Sequence, residues 1–279
     1  MVPDILGQVS SKTWLQAYVQ NGYQLPVDIE PLLFCKALLP NLGSPDPELR
    51  DKLTYTIMSQ LILDQHLLTV PQLEELLTIC LDREHLFYGI GKQGTDSVFM
   101  RSFSVLIVAA ILYYDRDAHA LSEVVTRQAA GALLRYVQEE RDWRGYVEGK
   151  GWIHTAAHVA DALDEIGQSR YASEQDCEAV MEAIRMLACL PGPFQDAEDD
   201  RQAIAAYGII ARKLISEIFV QRWLTSLILP HTSHDVVTYH RQNNARNMLR
   251  SLYFLLLKND IAPEVRELIS GAIVQIAGW

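Results

Sequence analysis

Pro47-Glu-Leu-Arg-Asp-Lys-Leu53 is echoed near the other end of the chain by Pro263-Glu-Val-Arg-Glu-Leu-Ile269. Both are a Pro-Glu-apolar-Arg helix start after an Asp-containing turn. Proline suits the first helical position, where its missing N–H costs nothing, and Asp can cap the same turn. Outward from these two stretches, apolar residues recur with a period of 3.6 almost everywhere, and convincing period-two alternation appears nowhere. Asp28 can cap a helix to about Leu39, which Pro40–Pro45 breaks. Asp46 starts the next, to about Leu63, and Thr69 with Pro71 opens a third that ends near Asp82. After the glycine-rich stretch Gly89–Gly94 a long helix should run to about Tyr114. Further helices are expected near Ala120–Glu140, Lys150–Ile166, Ser173–Leu190, Glu198–Phe219, Val220–Leu229, Asp235–Lys258 and Pro263–Ala277. Ser173-Glu-Gln-Asp176 is a capping box with Asp in place of Glu.

These segments predict an all-α protein. The favoured architecture is an α-α superhelix of stacked antiparallel helix pairs, HEAT-like because the Pro-Glu-apolar-Arg start resembles the second helix of such repeats. Two matches do not set a repeat register, so a compact multi-helix bundle and an α/α toroid stand as alternatives. The 279 residues read as a single all-helical domain, 1–279, with Pro191-Gly192-Pro193 as the point for a sub-division.

A hydrophobic fraction of 49% with 21% charged residues describes an ordered globular chain. The net charge of −11 repels polyphosphate and no run of Lys/Arg offsets it, so nucleic acid is not an expected partner. The start, MVPDILGQVSSKTW, lacks the basic and apolar regions of a secretory signal. The most apolar run, Phe103–Tyr114, is shorter than the roughly 20 residues that span a membrane. Cys35, Cys80, Cys177 and Cys189 are scattered and sit mostly in apolar patterns, as reduced thiols do. A cytoplasmic location and no membrane partner are the expectation.

Chemistry concentrates in Glu139–Asp161, EERDWRGYVEGKGWIHTAAHVAD. With a helix start near Lys150, His154, His158, Asp161 and Glu165 share one stripe, since residues three and four apart are helix neighbours. Trp152, Ala156, Val159, Ala160 and Leu163 then form the packing face, which predicts a buried Trp152 with Trp143 nearby. The stripe has three readings. Imidazoles at i and i+4 with Asp161 can hold a divalent metal, although Thr155 stands where the metalloprotease motif needs Glu. A metal-free pocket can use one His as acid or base, oriented by Asp161 or Asp142. A buried structural network is the third.

Two glycine motifs carry no nucleotide. Gly89-x-Gly91-x-x-Gly94 follows a helix, not the strand of a dinucleotide fold. It reads better as a mobile loop capped by Thr95 or Asp96, with an anion site at the helix N-terminus, using the Thr95 and Ser97 hydroxyls, as the alternative. Gly145–Gly151 is one residue short of a phosphate-binding loop and lacks its Ser/Thr. No nucleotide or flavin motif remains. Arg101 sits among apolar neighbours and needs a carboxylate or an anionic ligand, because an unpaired buried guanidinium is very costly. Arg144, Asp199, Arg201 and Asn243, with Asn244 and Asn247, are further candidates for a polar lining.

DSVFMRSFSVL (Asp96–Leu106), ERDWRGYVEGKGWIHTAAHVAD (Glu140–Asp161), EDDR (Glu198–Arg201) and NNARNMLRSLYFLL (Asn243–Leu256) resemble a bacterial family known only as a domain of unknown function. Its hallmark is an RGY…GW-x-H…AH-x-AD segment, and the resemblance runs from about Leu42 to Leu257. It implies a cytoplasmic, all-helical bacterial protein and no reaction. The Gly-Trp-x-His pattern is also similar to the helical-toroid lanthionine cyclases, but no Cys lies near it to supply their zinc ligands. The expected function is therefore binding of an anionic small molecule in a pocket of Arg101, Arg144, His154, His158 and Asp161, with Asp199, Arg201 and Asn243 as additions. The alternatives are a protein-interaction scaffold, in which the histidine stripe is structural, and a metal-dependent hydrolase.

Overall fold

The computed structural model describes residues 8–229 and 235–277; the expectation about a leader at residues 1–7 lies outside them. The described chain is an all-α superhelix with one two-residue-by-two-residue hairpin. After α1 (Lys12–Gln20) and α2 (Pro31–Leu38), a 3-10 turn, Leu39–Gly43, carries the chain through Pro40. Glu30, not Asp28, caps α2, its carboxylate accepting from Leu32 N and Leu33 N. The next helical run, α3, comprises Glu48–Tyr55 and Gln60–Asp64, both wound as π-helix, around Thr56–Ser59. As the sequence predicts, Asp46 caps it, accepting from Glu48 N at 2.9 Å.

From here the helices pack in two rows. One row runs α3, α5 (Ser97–Ala118), α7 (Thr155–Gln168), α9 (Glu198–Arg212) and α11 (Val236–Lys258), each against the next. The second row, α4 (Val70–Cys80), α6 (Glu123–Glu139), α8 (Glu174–Ala188) and α10 (Glu217–Leu227), lies behind it, and α12 (Pro263–Ala277) closes the end against α10 and α11. One cluster of buried side chains extends from Val9 to Ile276. The reciprocal Ser173–Asp176 box at the start of α8 is present, with Asp176 N donating to Ser173 Oγ at 3.2 Å. The break expected between Phe219 and Val220 lies earlier, between Arg212 and Glu217. Lys213 ends the first helix in a left-handed conformation (φ 57°), and Ser216 caps the second through Phe219 N.

Helix α5 is long and apolar enough to cross a membrane by length and composition, yet 72% of that window is buried inside the protein. It carries Arg101, wholly buried, whose Nε and Nη2 donate to Glu140 at 2.6 and 2.9 Å. Its Nη1 donates to Tyr88 O and Ser97 Oγ, and its Nη2 to Lys92 O. The Gly89–Gly94 loop is thus wrapped on the guanidinium and not free. Positive φ at Gly89 and Gly91 turns its carbonyls inward, a geometry that side chains disfavour.

Candidate functional site

Between α6 and α7 the chain forms β1 (Tyr146–Val147) and β2 (Gly151–Trp152), an antiparallel hairpin with Tyr146 opposite Trp152. This corrects the helix start: the expected first residues, Lys150 to Trp152, belong to the hairpin, and α7 begins at Thr155. Gly151 makes the hairpin fit. Its φ is +79°, and a Cβ there would stand 2.8 Å from Pro47 Cβ. Buried Arg50 clamps the strand from α3, its Nη2 donating to Lys150 O (2.8 Å) and Trp152 O (3.0 Å). The same guanidinium lies 4.0 Å over the Phe99 ring, an arrangement that attracts cations to aromatic faces. Burial pushes its pKa down to about 10.

Trp152 is consequently not a core residue; it is 38% exposed, against the expectation of burial. Its ring stacks on His154 at 4.4 Å and meets Tyr146 edge-on at 4.8 Å. His154 caps α7 in the left-handed region (φ 52°), uncommon for a side-chain-bearing residue, and its Nδ1 is buried without a hydrogen-bond partner. Burial holds its pKa below the ordinary histidine range, against the opposing pull of Glu198 and Asp196. His158 is 7% exposed, one turn on, with the two imidazole centroids 5.6 Å apart. Ser102 Oγ donates to Ile153 O at 2.5 Å, so His158 Nδ1, 2.9 Å from that hydroxyl, is the donor to it. Burial, reinforced by His154, drives the His158 pKa down to about 3, so the imidazole is neutral.

Asp161 pairs with Arg201 of α9, while burial raises its carboxyl above the usual range. One turn further, Glu165 binds Arg116 of α5 and is pushed up to about 7, again by burial. Asp51 and Arg201 both act on His154 electrostatically, and Asp161 and Arg201 act on Tyr55. The starts of α7 and α9 and the first turns of α3 therefore converge. His154, His158, Asp161 and Arg201 are brought together, and Arg144 lies beside them in the hairpin cleft described below.

Arg101 is not brought in; its charge is spent on Glu140. Arg144 is held by Asp142, with Nε and Nη2 donating at 2.7 and 2.6 Å. Asp199 sits half-buried in the first turn of α9, raised by burial, and accepts from Asp200 N. Asn243 accepts from Arg246 on its own helix. Its neighbour Asn244 has the structural task. It accepts from Phe194 N and donates to Leu190 O and Gly192 O, fixing the Pro191–Asp196 loop. Among the described residues no three His, Cys, Asp or Glu side chains are grouped to hold a metal ion.

The hairpin and that loop enclose a cleft of about 600 Å³, lined by Trp143, Arg144, Gly145, Tyr146, Trp152, Pro193, Gln195, Asp196 and Glu198. Glu198 is 4% exposed, and its Oε2 accepts from Gln195 N and Asp196 N. Its Oε1 and Asp196 Oδ2 press on the point where a Cβ of Gly145 would stand. Gly145 O in turn accepts from Ile153 N and His154 N. Sequence reasoning missed this wall. By period Trp152 falls on a core face, Glu198 reads with Asp199 and Asp200 as acidic residues favouring a helix start, and Asp196 carries no sequence signal. The usable signal was Gly145 beside two aromatic residues.

Residues 86–254, well over half of the chain, match the family described as Protein of unknown function (DUF2785). No curated protein and no solved structure matches the chain.

Proposed function

Since the chain belongs to the DUF2785 family, whose description assigns no reaction, we propose its function from the site: it is a binding protein that takes up a ligand in the hairpin cleft without covalent chemistry. The observation that carries this reading is the cleft itself, about 600 Å³ and walled by the hairpin and the start of α9. Its volume lies in the range of small-molecule sites, and its aromatic walls supply contact area. His154 and Ala197, the residues immediately before α7 and α9, are both left-handed, and strain of that kind collects at ligand clamps.

Support for catalysis is thin by comparison. Among the described residues the one serine–histidine hydrogen bond, Ser102 with His158, is buried and its serine is engaged with a backbone carbonyl. The anionic ligand expected from the arginines also loses its basis, because Arg101, Arg144 and Arg201 each have a carboxylate partner. A protein-interaction scaffold is the second reading; exposed Ile204 and Phe254, from two adjacent helices of one row, favour it.

The test uses Gly145→Ala, which displaces Asp196 and Glu198 into the cleft. A panel of charged and neutral small molecules is screened by indole fluorescence. At least one should bind the wild type and lose binding to the variant while its melting temperature stays near wild type. A ligand that binds both proteins equally places the site elsewhere.

A further inference from the structure

We propose that the hairpin cleft is a site for an organic cation, a guanidinium or alkylammonium group, held between the Trp143, Tyr146 and Trp152 rings and the Asp196 and Glu198 carboxylates. This rests on the reading of the cleft as a ligand site and names the ligand's chemistry. The two carboxylates converge on one point above Gly145, and among the described residues neither has an ion-pair partner. The neighbouring cations are committed: Arg144 to Asp142 through two nitrogens, and Arg201 to Asp161. His154 cannot supply the charge, since burial disfavours its protonated form.

Two carboxylates facing a half-enclosed space repel each other; the loop amides on Glu198 Oε2 offset part of this, and a cation entering beside Glu198 Oε1 and Asp196 Oδ2 offsets more. Two carboxylates without a third ligand make a poor metal site, and no metal-holding group of three exists among the described residues. An organic cation fits both walls, because it gains from carboxylates on one side and from the negative faces of aromatic rings on the other. The net charge of −11 draws such a ligand toward the protein at long range.

The experiment titrates the full chain with tetramethylammonium chloride, N-acetyl-arginine amide and a decapeptide bearing one arginine, followed by indole fluorescence and calorimetry. N-acetyl-citrulline amide, the neutral counterpart, is the control. The cations should bind and the citrulline compound should bind at least about tenfold more weakly, a gap of the size one close charge pair supplies. Asp196→Asn, at a half-buried loop position that leaves the fold intact, should weaken cation binding by about tenfold as well. Glu198→Gln, which keeps an acceptor for the two loop amides, is the second variant. Binding of arginine amide as tight as the peptide's assigns a free small molecule; much tighter peptide binding assigns a side chain of a partner protein. Equal affinity for the arginine and citrulline compounds, or cation binding unchanged in both variants, overturns the inference. Failure of every cation up to millimolar concentration, with a neutral compound or inorganic phosphate binding in a Gly145→Ala-sensitive way, overturns the cation and leaves the binding-protein reading standing.

Discussion

Arg101 and Glu140 are both sealed from solvent and pair through two hydrogen bonds, while loop carbonyls take the remaining guanidinium N–H groups and Arg141 N and Asp142 N donate to the carboxylate. Removing one member of such a pair leaves a buried charge unpaired, which costs more than the pair itself is worth. Arg101→Leu should therefore destabilise the protein by about 3–5 kcal/mol in chemical denaturation, and Glu140→Gln by less, since its amide still accepts from the guanidinium. A Glu140→Gln variant within about 1 kcal/mol of wild type, roughly the spread of surface substitutions, would mean the loop carbonyls and a neutral amide suffice to hold the guanidinium. At His158 the prediction concerns pH. Its folded pKa near 3 lies below the ordinary 6.5, so between those values the unfolded chain binds the extra proton. Stability is full above about pH 6.5 and falls as pH drops toward 3, by an amount on the order of a few kcal/mol. His158→Asn, which retains a donor for Ser102, should flatten that part of the profile. Identical slopes in variant and wild type would remove His158 from the acid response.

The hairpin shows what sequence periodicity can and cannot resolve. Helices α4 and α8 were legible because each has an apolar face at period 3.6 and a capping box, at Thr69 and Ser173. Helices α5, α6, α7 and α9 show the period but have no side-chain cap, and the period misplaces the start of α7 and the end of α9. The hairpin was not legible, because four paired residues are too few to show alternation, and Trp152 happens to continue the apolar phase of α7. Gly149 and Gly151, both at positive φ, were the local signal. The His154, His158 and Asp161 neighbourhood was legible from i, i+4 and i+7 spacing. The partners were not: Arg201 reaches Asp161 across 40 residues and Glu140 reaches Arg101 across 39, separations that only the fold fixes. Two substitutions test the element. Trp152→Ala should cost only about 1 kcal/mol, the worth of its ring contacts, because the indole is partly solvated; a loss of 3 kcal/mol or more would restore it to the core. Gly151→Ala should cost about 1–3 kcal/mol, from a left-handed backbone and the contact with Pro47. An unchanged melting temperature for it would show that the hairpin shifts freely on α3.

Across the whole molecule, stability should follow position in the two rows. Helices α5 and α7 have neighbours on both sides and behind, whereas α12 packs mainly on α10 and α11 among the described residues. Amide exchange should be slowest in α5 and α7 and fastest in α12, because local opening is easiest where fewest contacts break. Uniform protection along the chain would replace the layered picture with a single cooperative unit. The Arg101–Glu140 pair has one more consequence, in the order of synthesis. Glu140 is translated 39 residues after Arg101. At ~5–20 residues per second that gap is roughly 2–8 s. During it the newly made α5 leaves the ribosome with an unmatched guanidinium and bare apolar faces, and α7, which covers one of those faces, comes later still. A slow codon run between the two positions would lengthen that exposure, because the pair can close only once both residues have left the ribosome.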